Sequence, residues 1–206
     1  ELFESGMDSI PSENVCYPAK LAHGHVRSLI DKGVKTIWFP CVFYERKLVD
    51  RADDHFNCPI VATYPEVIRT NVEQLRGSPG GDGGPGGPEG SGGTDDGEGP
   101  GVRLLSPFLN LADPAKLAER LVEVFADWDV TLPEARRAVA AGFAEDAAFK
   151  ADVRAEGRRT LEWMREHDRK GIVLAGRPYH IDPEINHGIP DVINTLGLAV
   201  LSEDSL

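Results

Sequence analysis

Apolar positions in the first third of the chain change period several times. Between Pro18 and Gly33, Ala19, Ala22, Val26, Leu29 and Ile30 fall at three- and four-residue steps, the signature of one helical face. Pro18 suits the first helical turn because its missing N–H would have no partner there, and Gly33 suits a left-handed stop. Two short apolar runs follow. In Lys35 to Phe39, Thr36-Ile37-Trp38-Phe39 reads as a buried strand, and Ile60 to Tyr64 reads as a second core strand. Pro65 is expected to open the next helix, carrying Val67, Ile68 and Val72. Strands alternating with helices predict a parallel sheet covered on both faces.

The pattern then stops. From Gly77 to Gly101 there is no large apolar residue, and thirteen of the chain's 22 glycines fall there with four prolines. Such a stretch cannot bury enough surface to offset its ordering entropy, so an acidic, disordered linker spanning roughly 25 to 30 Å is expected. Periodicity returns at Asp113, which reads as an N-cap ahead of Pro114 and a stripe of Leu117, Leu121, Val124 and Phe125. Thr131 and Glu134 have the spacing of a capping box. The helix they open runs to about His167, as one bent helix or two, with Phe149, Trp163 and Met164 expected in the core.

Gly171 to Gly176 is a strand by its apolar run, Gly188 to Leu196 a helix, and Leu198 to Leu201 a strand. This βαβ pattern begins a second α/β domain. The organisation expected is therefore a cysteine-bearing α/β segment at 1–76, the insertion at 77–101, a helical connection at 102–170, and the second domain from 171 to 206. The fold class is α/β, with parallel-sheet, flavodoxin-like or Rossmann-like segments. The chain starts at Glu1 and stops after an apolar run, so it reads as a piece of a larger two-lobed fold.

Charge and cysteine count narrow the chemistry. With 34 acidic against 22 basic residues, a formal charge of -12 argues against nucleic acid or an anionic membrane as partner. No apolar run reaches membrane-spanning length and no basic, apolar leader is present, so a cytoplasmic location is expected. Three cysteines do not describe a disulfide framework. Cys16, Cys41 and Cys58 each stand where a regular element meets a loop, a placement that lets thiolates converge. Their spacings of twenty-five and seventeen residues exclude ordinary zinc-finger and compact ferredoxin patterns. The helix beyond Cys16 points its positive end toward any anionic cluster bound there. A shared metal site and unrelated buried thiols both remain open on these grounds.

Among the other polar residues, His23 and His25 lie two apart on one helix and cannot act as an i, i+4 metal pair; surface or helix-packing roles are expected. His55, three residues before Cys58, is a candidate fourth ligand or a donor to a cluster sulfur. The turn from Arg177 to His187 lies beyond the carboxyl end of a strand, where open α/β sheets bind ligands. Arg177, Tyr179, His180, Asp182, Glu184, Asn186 and His187 are candidates to face a cluster or to hold a carboxylate or phosphate, although Asp182-Pro183 and Asn186 also suit plain turns. No G-x-G-x-x-G follows the strand, so a dinucleotide fingerprint is absent.

Four stretches carry a resemblance: Ser12-Glu13-Asn14-Val15-Cys16-Tyr17-Pro18-Ala19-Lys20, Pro40-Cys41-Val42-Phe43-Tyr44-Glu45, Asn57-Cys58-Pro59, and Gly176-Arg177-Pro178-Tyr179-His180-Ile181-Asp182-Pro183-Glu184-Ile185-Asn186-His187-Gly188. Together they resemble the iron–sulfur domain of the large activase-related proteins (CoA-substrate-specific enzyme activases) of the 2-hydroxyacyl-CoA dehydratase family. The match covers all but the 77–101 insertion.

The resemblance implies an iron–sulfur cluster, 4Fe-4S or double-cubane, held by three cysteines, with Cys16, Cys41 and Cys58 as the matching positions. It implies electron transfer: an ATP-dependent activase module, in the same or another chain, reduces the cluster, which passes an electron to an acyl-CoA or other small-molecule acceptor. ATP would act only through activase regions that this segment lacks, and nothing here reads as a CoA-binding loop. The segment alone is therefore not expected to be catalytic. Two other readings stand beside this one, a zinc site closed by the cysteines with His55 or another histidine, and a metal-free α/β interaction scaffold.

Overall fold

The computed structural model describes residues 1–47, 51–76 and 101–206; the expected linker falls almost wholly outside them. The chain forms two compact units, Glu1–Val139 and Ala140–Leu206. It is α/β, and among the described residues the three strand pairs are all parallel.

In the first unit, α1 (Leu2–Gly6) packs on α2 (Tyr17–Asp31). The two backbones meet at Gly6 and Gly24, where a side chain on Gly24 would collide with the Leu2 carbonyl. Helix α2 ends before Gly33, whose φ of +77° is the left-handed stop expected. Strands β1 (Thr36–Trp38) and β2 (Cys41–Tyr44) run alongside β3 (Arg103–Leu105) and β4 (Phe108–Asn110). β1 pairs with β3, Ile37 opposite Leu104, and β2 with β4, Cys41 opposite Phe108. Pro40 and Pro107 lack the N–H that would carry the ladder through, yet Phe39 N donates to Leu105 O and Cys41 N to Pro107 O, both at 2.9 Å. The two short pairs thus follow each other along the same two segments of chain.

Two expectations change here. Ile60 to Tyr64 is no strand but part of α3 (Pro59–Asn71), and Pro65, rather than opening the helix, lies inside it. A short apolar run does not separate strand from helix; the buried positions Ala62, Pro65 and Ile68 recur every three residues, a helical face. That face repays the backbone bond Pro65 cannot make. Second, β1 is not buried throughout: Ile37 is buried while Trp38 is 41% exposed, because strand neighbours face opposite sides. Cys41 begins β2.

The core of this unit gathers Ala19 and Val26 of α2, Ile37, Tyr64 and Ile68 of α3, Val72, Leu75, Val102 and Leu104. Asp113 caps α4 (Pro114–Val124), its Oδ1 accepting from the amides of Ala115 and Lys116 at 3.0 and 3.1 Å. Thr131 and Glu134 do join at the start of α5 (Leu132–Glu166): Glu134 Oε2 accepts from the Thr131 amide at 2.9 Å and hydroxyl at 2.6 Å. α5 is one helix of 35 residues, rich in alanine, arginine and glutamate.

The second unit contains most of α5, then β5 (Gly171–Leu174), α6 (Ile189–Thr195) and β6 (Ala199–Ser202). β5 and β6 pair in parallel from Gly171–Ala199 to Leu174–Ser202. α5 meets this pair where the side-chain-free Gly157 admits the Ser205 backbone and where Met164 covers Gly171. Phe149 and Trp163, expected in the core, are instead 65% and 45% exposed. Spacing picks a helix face without saying what covers it, and Phe149 stands about 12 Å up the axis from Gly157. No helix among the described residues is long and apolar enough to cross a membrane.

Candidate functional site

Local structure places all three cysteines in the first unit. Cys16 is the N-cap of α2 and Cys58 the N-cap of α3, each followed by a proline in the first helical turn. Neither thiol makes a capping hydrogen bond. Cys41 is fully buried, and none of the three is in a disulfide.

The residues just ahead of Cys58 pair with the strand that Cys41 begins. Segment 55–57 returns antiparallel along the end of β2, with Tyr44 opposite Phe56, Asn57 N donating to Phe43 O at 2.8 Å and Glu45 N to His55 O at 2.9 Å. α3 then packs on β2. Cys16 packs against the core cluster that contains Tyr64 of α3. The Tyr64 phenol is held above its ordinary range, chiefly by burial and secondarily by the thiolate charge of Cys16 nearby. Each cysteine is thus linked to α3 by a different route: Cys58 as its N-cap, Cys41 through the strand that α3 packs on, and Cys16 through the core cluster that includes Tyr64 and Ile68.

A buried relay ties α2 to α3 at this point. Ser9 Oγ donates to Gly6 O at 2.9 Å, so it receives the His23 Nδ1 proton across 2.7 Å. The other ring nitrogen, Nε2, must then accept from the Tyr64 hydroxyl at 2.9 Å. One hydroxyl proton each fixes the direction of the chain. The His23 ring is fully buried, and desolvation holds it below its ordinary pKa. The bond lies about 10 Å from Cys16 and about 9 Å from Cys58 along the respective helix axes. The sequence reading assigned His23 only a surface or packing role; its spacing from Ala19 and Val26 was the signal that it faces the core. His25 is exposed.

The other candidates take the following positions. His55 Nδ1 donates to the Glu45 carbonyl at 2.7 Å, which leaves Nε2 with its lone pair, the arrangement of a ligating histidine. Next to it, Asn57 holds the Glu45 carboxylate at 2.8 Å. In the second unit, Asp182 Oδ1 accepts from the amides of Glu184 and Ile185 at 2.9 and 3.3 Å, and Asn186 Oδ1 from Gly188 at 2.9 Å. His187 and Gly188 both take positive φ at the entry to α6. Tyr179 meets His180 edge-on with centroids 4.7 Å apart. Arg177 and Glu184 are exposed.

Thiolates suit iron–sulfur clusters and zinc in donor type, and the three belong to the same unit. They are not drawn together: among the described residues no group of three or more histidine, cysteine, aspartate or glutamate side chains is placed to hold a metal ion. The donors fit such a group in kind, and their spacing here does not form a ligand set.

No curated protein and no solved structure shows significant similarity to the chain. The family model described as the CoA enzyme activase uncharacterised domain matches residues 1–206. A match over this whole length, on a fold whose thiols and sheet-edge turn are the stretches singled out above, establishes that the chain belongs to this CoA enzyme activase-related family.

Proposed function

We propose that this domain serves electron transfer in an activase-related system, with Cys16, Cys41 and Cys58 as ligands of an iron–sulfur cluster of 4Fe-4S or double-cubane type. The supporting observation is the use of cysteine at two helix N-caps, Cys16 of α2 and Cys58 of α3, with the buried Cys41 on the strand that α3 packs on. An N-cap is ordinarily filled by a side-chain oxygen that satisfies a backbone donor. Cysteine there leaves the thiol uncommitted and sets the positive end of a helix beside a thiolate.

Bound to these thiolates, a cluster would supply one-electron chemistry. The chain's own residues do the rest. Tyr64 and His23 tie α2 to α3, the helices that Cys16 and Cys58 begin, while residues 55–57, just ahead of Cys58, pair with the strand that Cys41 begins. Assembly needs the three thiols to close from the positions described. The partner in this reading is an ATP-dependent activase, in the same or another chain, and the acceptor an acyl-CoA or other small molecule. His55, by its free Nε2, is a candidate fourth donor.

The ungathered thiols favour a second reading, an α/β interaction module that docks the activase without a redox centre. Anaerobic purification and reconstitution, followed by the visible spectrum and by iron, sulfide and zinc analysis, separates the two. The electron-transfer reading expects a coloured protein with matched iron and sulfide, and expects Cys41→Ser to lose the colour with helix content nearly intact. Colourless protein, with stoichiometric zinc or with no metal, would overturn it, and a full iron complement in Cys41→Ser would overturn the ligand assignment.

A further inference from the structure

The second unit contains a cleft of about 300 Å³ at the carboxyl ends of β5 and β6, lined by Leu174, Ser202 and the turn that follows β5. Parallel strands ending side by side leave a crevice at this edge, the usual ligand position in α/β folds. Its volume is at the small end of ligand pockets. Nothing in the electron-transfer reading uses it, and the inference is independent of that reading.

The lining has a distinct charge pattern. Arg177 and His180 come from one side of the cleft, Glu203 and Asp204 from the loop after β6. His180 Nδ1 accepts the Arg177 amide proton at 3.2 Å, so in the neutral ring the proton sits on Nε2, a second donor beside the guanidinium. Gly176 makes room for that ring: a Cβ there would lie 2.5 Å from His180 Nδ1. No ion pair joins Arg177 to Glu203 or Asp204; their nearest polar link is the long 3.5 Å approach of the Gly176 amide to Glu203 Oε1. The lining also includes the apolar Ile181, Ile185 and Ile189, of which Ile181 and Ile189 are more than half exposed.

Two carboxylates against one guanidinium make the lining net acidic, which opposes a phosphate or other polyanion. A simple aliphatic acid leaves the two carboxylates unmatched, and a simple amine leaves Arg177 unmatched. We infer that this cleft binds a small aliphatic zwitterion, an α-amino acid with a branched apolar side chain. Its carboxylate is taken by Arg177 and His180 Nε2–H, its ammonium by Glu203 and Asp204, and its side chain by the isoleucines.

Titration of the isotopically labelled 206-residue chain with L-leucine, followed by amide chemical shifts, tests this. Saturable shifts are expected at Gly176, Arg177, Glu203 and Asp204. 4-Methylpentanoate, which lacks the ammonium, and 3-methylbutylamine, which lacks the carboxylate, should bind about tenfold or more weakly, and inorganic phosphate should not saturate. Arg177→Gln and Glu203→Gln should each weaken leucine by about tenfold, with the β5–β6 amide signals retained; Gly176→Ala, which displaces the His180 ring, should weaken it as well. Absence of saturable leucine shifts, equal binding of either single-charge analogue, saturation by phosphate, or unchanged affinity in both charge variants would each overturn the inference.

Discussion

Removal of one hydroxyl, Tyr64→Phe, tests the relay between α2 and α3 directly. The Tyr64 hydroxyl is the donor to Nε2 of a fully buried, neutral His23, at 2.9 Å. Phenylalanine fills nearly the same volume, so the ring packing survives and the change isolates the hydrogen bond. The ring nitrogen is left buried without a donor, at a cost of about 1 to 3 kcal/mol. That is roughly a 5- to 150-fold fall in the folding constant at neutral pH.

The pH dependence carries a second signature. Burial lowers the His23 pKa in the folded state below the ordinary 6.5, so below that value the unfolded chain binds a proton that the folded chain resists. Stability from this group is full above pH 6.5 and falls as the pH drops below it. The Tyr64 donor favours the neutral ring, so the deficit of Tyr64→Phe should shrink as the pH falls from 7.5 to 5. Urea titrations at those two pH values, read from amide signals of α2 and α3, measure both effects. A loss under about 0.5 kcal/mol at pH 7.5, within the range of ordinary surface substitutions, would refute the assignment of this bond. A deficit that grows in acid would refute the proton direction deduced for the relay.

Other substitutions address single links. Asp113→Ala removes the acceptor for the Ala115 and Lys116 amides and should cost about 1 kcal/mol, with faster hydrogen exchange confined to the first turn of α4. The two hydrogen bonds from Thr131, hydroxyl first and amide second, hold the Glu134 carboxyl below its ordinary 4.5. Its contribution is therefore present above pH 4.5 and lost as the pH falls through the lowered folded value; Glu134→Gln should flatten the acid limb of the stability curve there and leave the limb above pH 6 unchanged.

Several features of this protein were legible without coordinates because they are settled within a few residues of chain. Gly33 stops α2 because only a residue free of a Cβ takes a φ of +77° cheaply. Asp113 caps α4, and Thr131 meets Glu134, because donor and acceptor are three residues apart. The α/β class and the β5–α6–β6 unit followed from alternating periods. The positions of Cys16 and Cys58 at helix starts were half visible: Pro18 announced the first, whereas Pro59 was masked by reading Ile60 to Tyr64 as a strand. Strands β3 and β4 were missed, since segments of three residues carry too little periodicity to be recognised alone.

What only the tertiary structure decided are the pairings between distant segments. His23 acquires its meaning from Tyr64, forty-one residues away, and from Ser9, fourteen residues away. Residues 55–57, ahead of Cys58, return along β2, and Phe149 stays exposed on α5. The physical reason is the range of the forces. Capping, left-handed turns and periodicity act between neighbours in sequence, so the chain carries them wherever it goes. Burial and long-range hydrogen bonds depend on which surfaces are brought into contact, and no local pattern in the sequence specifies that.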